Sequence, residues 1–140
     1  MKKYEILDHT ADIRIKVYGK NLENLFASCA SALFDFLVKS PPKKNIKKEI
    51  YLEAENYEDL LVFWLNELIS SFYAYHFLPG QYKIKLSDSG NKKILNAVVA
   101  GTDFNPYDNK IDKEIKAATY HGLKIEQTDN GYAAEIIFDV

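Results

Sequence analysis

The sequence predicts an α+β fold in which two main helices pack on one face of a mainly antiparallel sheet. Three observations carry that prediction. Two segments place apolar residues at three- and four-residue steps, each preceded by Asn, as capped amphipathic helices do. Several runs alternate apolar and polar residues with the period of a half-buried strand, and Asp88-Ser89-Gly90-Asn91 and Asn130-Gly131 join pairs of them as turns. Strands and helices do not alternate regularly, which argues against a parallel sheet built from βαβ units.

Met1-Lys2-Lys3 leads into a strand ahead of Asp8, and Ile13-Arg14-Ile15-Lys16-Val17-Tyr18 then shows one apolar face until Gly19. This alternation points Arg14 outward. Asn21 caps the first helix, whose inner face is Leu22, Leu25, Phe26, Cys29, Leu33, Phe34 and Leu37, and Pro41-Pro42 sets its outer limit. Ile46, Ile50 and Leu52 outline a strand, with Lys43, Lys44, Lys47 and Lys48 assigned to a solvated face. Asn56 caps the second helix. Glu58 and Asp59 in its first turn complement the helix dipole, and Leu60, Leu61, Trp64, Leu65, Leu68 and Phe72 form a wide apolar face.

The run Phe72-Tyr73-Ala74-Tyr75-His76-Phe77 has no interleaved Arg for base stacking, so it belongs to core or interface, with His76 satisfied or exposed rather than a ligand. Tyr82, Ile84 and Leu86 pair with residues 94–100 in a hairpin. Residues 101–113, containing Asp103, Pro106, Asp108 and Asp112, form an acidic connection without calcium-loop spacing that either covers the site or only connects. A last hairpin through Asn130-Gly131 brings Asp139 beside the N-terminal strand.

With 140 residues, 47% of them hydrophobic, the chain can bury a core and is expected to be a single domain over residues 1–140. Eighteen basic against twenty acidic residues, for a net charge of -2, give no general attraction to nucleic acid or an anionic membrane. RNA would be reached through a partner. The lone Cys29 falls on the inner helix face as an inert thiol, consistent with a reducing compartment. The start of the chain lacks an apolar signal core and no run approaches about 20 apolar residues, so a cytoplasmic, soluble protein is expected.

The chemistry-bearing residues lie at the two ends. Asp8-His9-Thr10-Ala11-Asp12 precedes one alternating run and Asp139-Val140 follows another, so pairing those strands would join their carboxylates. Converging carboxylates repel unless a cation neutralises them, and their oxygens suit Ca²⁺ or Mg²⁺, while His9 would admit a transition metal. Alternatively, Asp8 and Asp12 are turn and strand-cap residues bonded to backbone. A small metal-dependent hydrolase built on Asp8, His9, Asp12 and Asp139 is a further reading, although the chain lacks a phosphate loop, a Ser/His/Asp motif and a Cys cluster. A general chaperone or scaffold without a metal, whose acidic ends are structural, is a third.

Asp8-His9-Thr10-Ala11-Asp12-Ile13, then Gly19, Leu22, Leu25-Phe26 and Ala30, resemble the N-terminal signature of the archease family. Leu61-Val62-Phe63-Trp64-Leu65-Asn66-Glu67-Leu68, Glu114-Ile115-Lys116-Ala117-Ala118-Thr119-Tyr120-His121-Gly122-Leu123 and the ending Ile137-Phe138-Asp139-Val140 extend the resemblance over essentially the whole chain. Arg14 departs from it, standing where many members have Gly, and Ala118 is a milder variation. The resemblance implies a strand-helix-strand-strand type module and a non-catalytic accessory protein. Archeases assist the RtcB-type RNA ligase of tRNA splicing, promoting its GTP-dependent guanylylation and multiple turnover, and are also linked to chaperoning a tRNA methyltransferase. It implies metal positions at Asp12, Asp139 and Val140, the last through a main-chain or terminal oxygen, with calcium the usual ion. Lys116, by itself an ordinary outward lysine, becomes on this basis a candidate to act in trans at the ligase active site. His121 is a candidate proton shuttle or, with Gly122, the positioner of a turn.

Overall fold

Asn21 and Asn56 start the two helices by the same device. Each side-chain oxygen accepts the backbone N–H three residues on, from Asn24 and from Asp59, at 2.8 Å, satisfying a donor that the first turn leaves without a helical partner. In the computed structural model, which describes residues 4–7, 12–38, 45–104 and 114–140, helix α1 spans Leu22–Leu37 and helix α2 spans Tyr57–Tyr75. Helix α1 ends as Val38 turns extended; Pro41-Pro42 falls outside the described residues. Helix α2 ends at His76, a non-glycine residue in the left-handed region (φ 58°) whose N–H reaches back to the Ser71 carbonyl.

The strands are β1 Tyr4–Leu7, β2 Asp12–Gly19, β3 Ile46–Ala54, β4 Phe77–Asp88, β5 Lys93–Asp103, β6 Ala117–Thr128 and β7 Gly131–Asp139. Every pairing is antiparallel, and both predicted hairpins form, β4 with β5 and β6 with β7. Gly131 adopts φ 146°, and a Cβ there would strike the Gly19 carbonyl oxygen, so the turn seats closely on the end of β2 and admits only glycine. The strands divide into two sheets, ordered β1-β2-β7-β6 and β3-β5-β4. Helix α1 packs on β2 and β7 of the first and β4 of the second; α2 packs on β6 of the first and on all three strands of the second. The helices therefore form the layer through which the two sheets meet.

That position explains the composition of α2. Leu60, Leu61, Val62, Trp64, Leu65, Leu68, Ile69 and Phe72 are all buried, more than one apolar stripe requires, because sheets cover the helix on two sides. Trp64 is fully buried, meets the Tyr82 ring edge-on at 6.0 Å and donates from Nε1 to the Phe26 carbonyl at 3.0 Å. Phe72 stacks on Phe104 and meets Phe34 edge-on. Cys29 is buried and burial pushes its thiol pKa up, matching the inert role read from sequence.

Some residues sit differently from the sequence reading. Lys47 is exposed as expected, but Lys48 is half-buried: it donates to the buried Ser71 hydroxyl and lies 5.3 Å over the Tyr75 ring. Lys43 and Lys44 fall outside the described residues. The aromatic run splits, with Phe72 and Phe77 buried and Tyr75 exposed. Strand β4 begins at once with Phe77, ahead of the alternation read from Gln81 on; the sequence hid this start because Phe77-Leu78-Pro79 is buried without alternation and cannot be told from a helix tail by period alone. Asp103 ends β5, and the remainder of the acidic connection, with Asp108 and Asp112, lies outside the described residues. No helix among the described residues is long and apolar enough to cross a membrane.

Candidate functional site

Ile13, Ile15 and Val17 point into the core, so the period of two places Asp12, Arg14 and Lys16 on the outer face of the four-stranded sheet. The β2–β7 register then decides what meets Asp12. Asp12 lies directly opposite Asp139, with Ile13 opposite Phe138 and Ile15 opposite Ile136 continuing the same ladder inward. The carboxylates expected to converge are thus cross-strand neighbours, whose β-carbons lie about 4.5–5.5 Å apart in such pairs. Asp12 is half-buried and Asp139 exposed.

The third strand completes the rung. Ala117 lies opposite Asp139 from the other side, and the Lys116 N–H donates to the Asp139 carbonyl at 2.8 Å. Lys116 is exposed between the buried Ile115 and the half-buried Ala117, and it has no ion-pair partner among the described residues. It lines a shallow groove of about 530 Å³ with Asn66, Ile69, Ser70, Tyr73 and Ala74 of α2. Arg14 points outward as its alternation predicts and leans away from the acids: its Nε, shielded from solvent, sits 3.4 Å from Glu135 Oε1 as an ion pair rather than a well-formed hydrogen bond.

Strand β6 is an outer strand, so its free edge needs other partners for its backbone groups. Helix α2 supplies them. Asn66 accepts from the Ala118 N–H at 2.8 Å and donates to the Ala118 carbonyl at 3.2 Å, reproducing a neighbouring strand with one amide. The Tyr73 hydroxyl accepts from the Ile115 N–H, and Glu58 accepts from the Ile125 N–H. The Lys116 segment is therefore held from both sides. Sequence reading missed Asn66; the available signal was a polar residue inside the apolar run Trp64-Leu65-Asn66-Glu67-Leu68. Asn66→Leu is expected to cost about 2–3 kcal/mol by leaving the two Ala118 groups unmatched, measured as a lowered denaturation midpoint; a midpoint equal to wild type would remove this role.

The other predicted site residues are placed unequally. Val140 follows β7 and is 46% exposed beside the rung. His121 lies in a bulge, since Thr119 faces Ile137 but Lys124 faces Glu135, and its side chain is not among those described. Asp8 and His9 fall outside the described residues. Among the described residues no group of three His, Cys, Asp or Glu side chains comes together. Asp12 and Asp139 bring carboxylate oxygens to one rung, hard donors of the kind calcium or magnesium takes, and Val140 follows Asp139 directly in the chain.

The profile of the Archease protein family matches residues 4–140. The chain belongs to the archease family. It is 35% identical to the archease of Pyrococcus furiosus over the full length of both chains. It is 31% identical to that of Methanosarcina acetivorans over 99% of this chain and 97% of the relative. The solution structure of Methanobacterium thermoautotrophicum protein 1598 superposes with a TM-score of 0.84 at 26% identity, covering all of both chains. The crystal structure of an archease from Thermotoga maritima, described as a possible chaperone, shares the fold with a TM-score of 0.61 at 23% identity over 97% of this chain and 96% of that one. The archease α+β architecture, with its two helices and antiparallel sheets, is thus the one built here around the Asp12–Asp139 rung.

Proposed function

We propose that this archease-family chain is a non-catalytic accessory protein of tRNA splicing in the cytoplasm. It activates an RtcB-type RNA ligase by promoting guanylylation and repeated turnover. The observation that supports this reading most directly is the rung itself: Asp12 opposite Asp139, with Lys116 bonded to the Asp139 backbone on the next strand. Asp12, Asp139 and the Val140 main-chain oxygen would hold a calcium or magnesium ion, which supplies fixed positive charge between two repelling carboxylates. Strands β2 and β7 set the spacing of the acids. Asn66 and Tyr73 fix the backbone that carries Lys116. Lys116 then presents an ammonium that has no ion-pair partner among the described residues, suited to a phosphate of the ligase's guanylylation chemistry. In this reading tRNA is met only through the ligase, and no membrane is involved.

The test holds the cognate ligase substoichiometric to a tRNA-half substrate with GTP and metal, with and without this protein. Conversion beyond one turnover is expected only with the wild-type chain, and is expected to be lost with Asp139→Ala and Lys116→Ala. Stimulation by Lys116→Ala equal to wild type would remove the role in trans. No stimulation by wild type would overturn the ligase reading and turn attention to the tRNA methyltransferase client. Phosphodiesterase turnover by the protein alone, abolished by Asp12→Ala, would instead establish a hydrolase.

A further inference from the structure

The outer face of the β3-β5-β4 sheet carries a charge pattern that the rung does not use. Helices cover its inner face, while Glu49, Tyr51, Asn96, Val98, Lys83 and Lys85 point outward and are exposed. The register arranges them in rows across the three strands. Glu49, Val98 and Lys83 share one row, and Tyr51, Asn96 and Lys85 share the next. The flanking rows are Lys47, Ala100, Gln81 and Glu53, Ile94, Ser87. In the two central rows the acid therefore lies on the β3 flank and the lysines on the β4 flank, with Val98 between them, 36% exposed, while Lys47 stands in the row beyond. Glu49, Lys83 and Lys85 have no ion-pair partner among the described residues.

We propose that this face docks a second copy of the chain about a two-fold axis running along β5. Such an axis lays the β3 flank of each copy over the β4 flank of the other while keeping rows in register, so each row meets itself reversed. Glu49 of one copy then faces Lys83 of the other, twice by symmetry, with Val98 on Val98 between the two pairs. In the adjoining row the Tyr51 ring, 57% exposed, meets Lys85. The outer rows oppose Lys47 with Gln81 and Glu53 with Ser87. No row opposes like charges.

The alternative in-plane axis, across the strands, lays β4 on β4 and sets Lys83 and Lys85 against their own copies. Charge thus selects the first axis over the second. The axis lays the two β5 strands parallel, within the about 30° over which twisted sheets stack face to face, and the depression of about 730 Å³ between the flanks leaves room for the copy's side chains. A face only three strands wide makes a small interface, so the dimer is weak and reversible. It leaves the Asp12–Asp139 rung of the other sheet uncovered, one in each copy.

Sedimentation velocity of the full chain over a concentration series tests the proposal. A monomer–dimer equilibrium is expected, weakening in molar salt as its ion pairs are screened. Glu49→Lys and Lys83→Glu are each expected to weaken self-association by at least about tenfold, since like charges replace both ion pairs. The geometry makes a sharper demand. In an equimolar mixture, the first variant offers two lysines where the second offers two glutamates, so a heterodimer is expected within about threefold of wild-type affinity. Circular dichroism confirms that both variants are folded before mixing. Wild type that stays monomeric to millimolar concentration, a dimer indifferent to either charge reversal, or variants that fail to associate on mixing would each overturn the proposal.

Discussion

Replacing Trp64 with alanine is expected to lower stability by about 3–5 kcal/mol, a large share of the about 5–15 kcal/mol that holds a domain folded. The reason lies in where α2 sits. Trp64 is fully buried in the layer between the two sheets, where it touches Tyr82 of β4 and donates to the Phe26 carbonyl of α1. Removing the indole opens a void that both helices and a sheet border, and none can collapse into it without disturbing the others. Trp64→Phe separates the contributions. It keeps an aromatic ring but loses the donor, and the Phe26 carbonyl, within α1, retains its helical partner, so its cost is expected to be well below that of alanine. Urea denaturation of both variants measures the difference. Equal losses would show that the hydrogen bond, and not the volume, dominates.

Much of this arrangement was legible in the sequence because it is local. The caps at Asn21 and Asn56, the alternation through Ile13, Ile15 and Val17, and the Asn130-Gly131 turn each depend on residues a few positions apart. The turn fixes where β7 begins, and the apolar period fixes which of its residues face inward. Together these place Asp139 beside Asp12, as the ladder shows. The archease resemblance pointed to the same acids.

What was not legible depends on contacts distant in sequence. A period of two states that Ile50 and Leu52 face something apolar, but not that β3 joins β5 and β4 in a sheet separate from β2 and β7. The wide apolar face of α2 announced deep burial without revealing that two sheets supply it. Asn66 bonds to Ala118 and Lys48 to Ser71, pairings that no local rule anticipates. The bulge between Thr119 and Lys124 is likewise set by the partner strand. The Asp12–Asp139 rung was therefore legible in the sequence, and the support of its neighbouring strand by α2 was not.

Asp139→Asn is expected to leave the metal-free protein as stable as wild type or slightly more so, while abolishing its stabilisation by calcium. The two effects come from the same rung. Like charges directly opposite on neighbouring strands oppose folding, and the amide removes that repulsion. Calcium that binds only the folded chain adds RT ln(1 + [Ca²⁺]/Kd), about 2.7 kcal/mol at one hundred times Kd, and the amide removes a charged ligand from the donor set. Thermal melts of both proteins in a chelator and in millimolar calcium read the two effects independently. A wild-type Tm unmoved by calcium would count against an ion at the rung, and an equal calcium shift in Asp139→Asn would place the ion elsewhere. Val140→Ala refines the result. It keeps the main-chain oxygen and changes only the side chain, so the calcium response is expected to survive; its loss would mean that the isopropyl group, rather than the oxygen, shapes the rung.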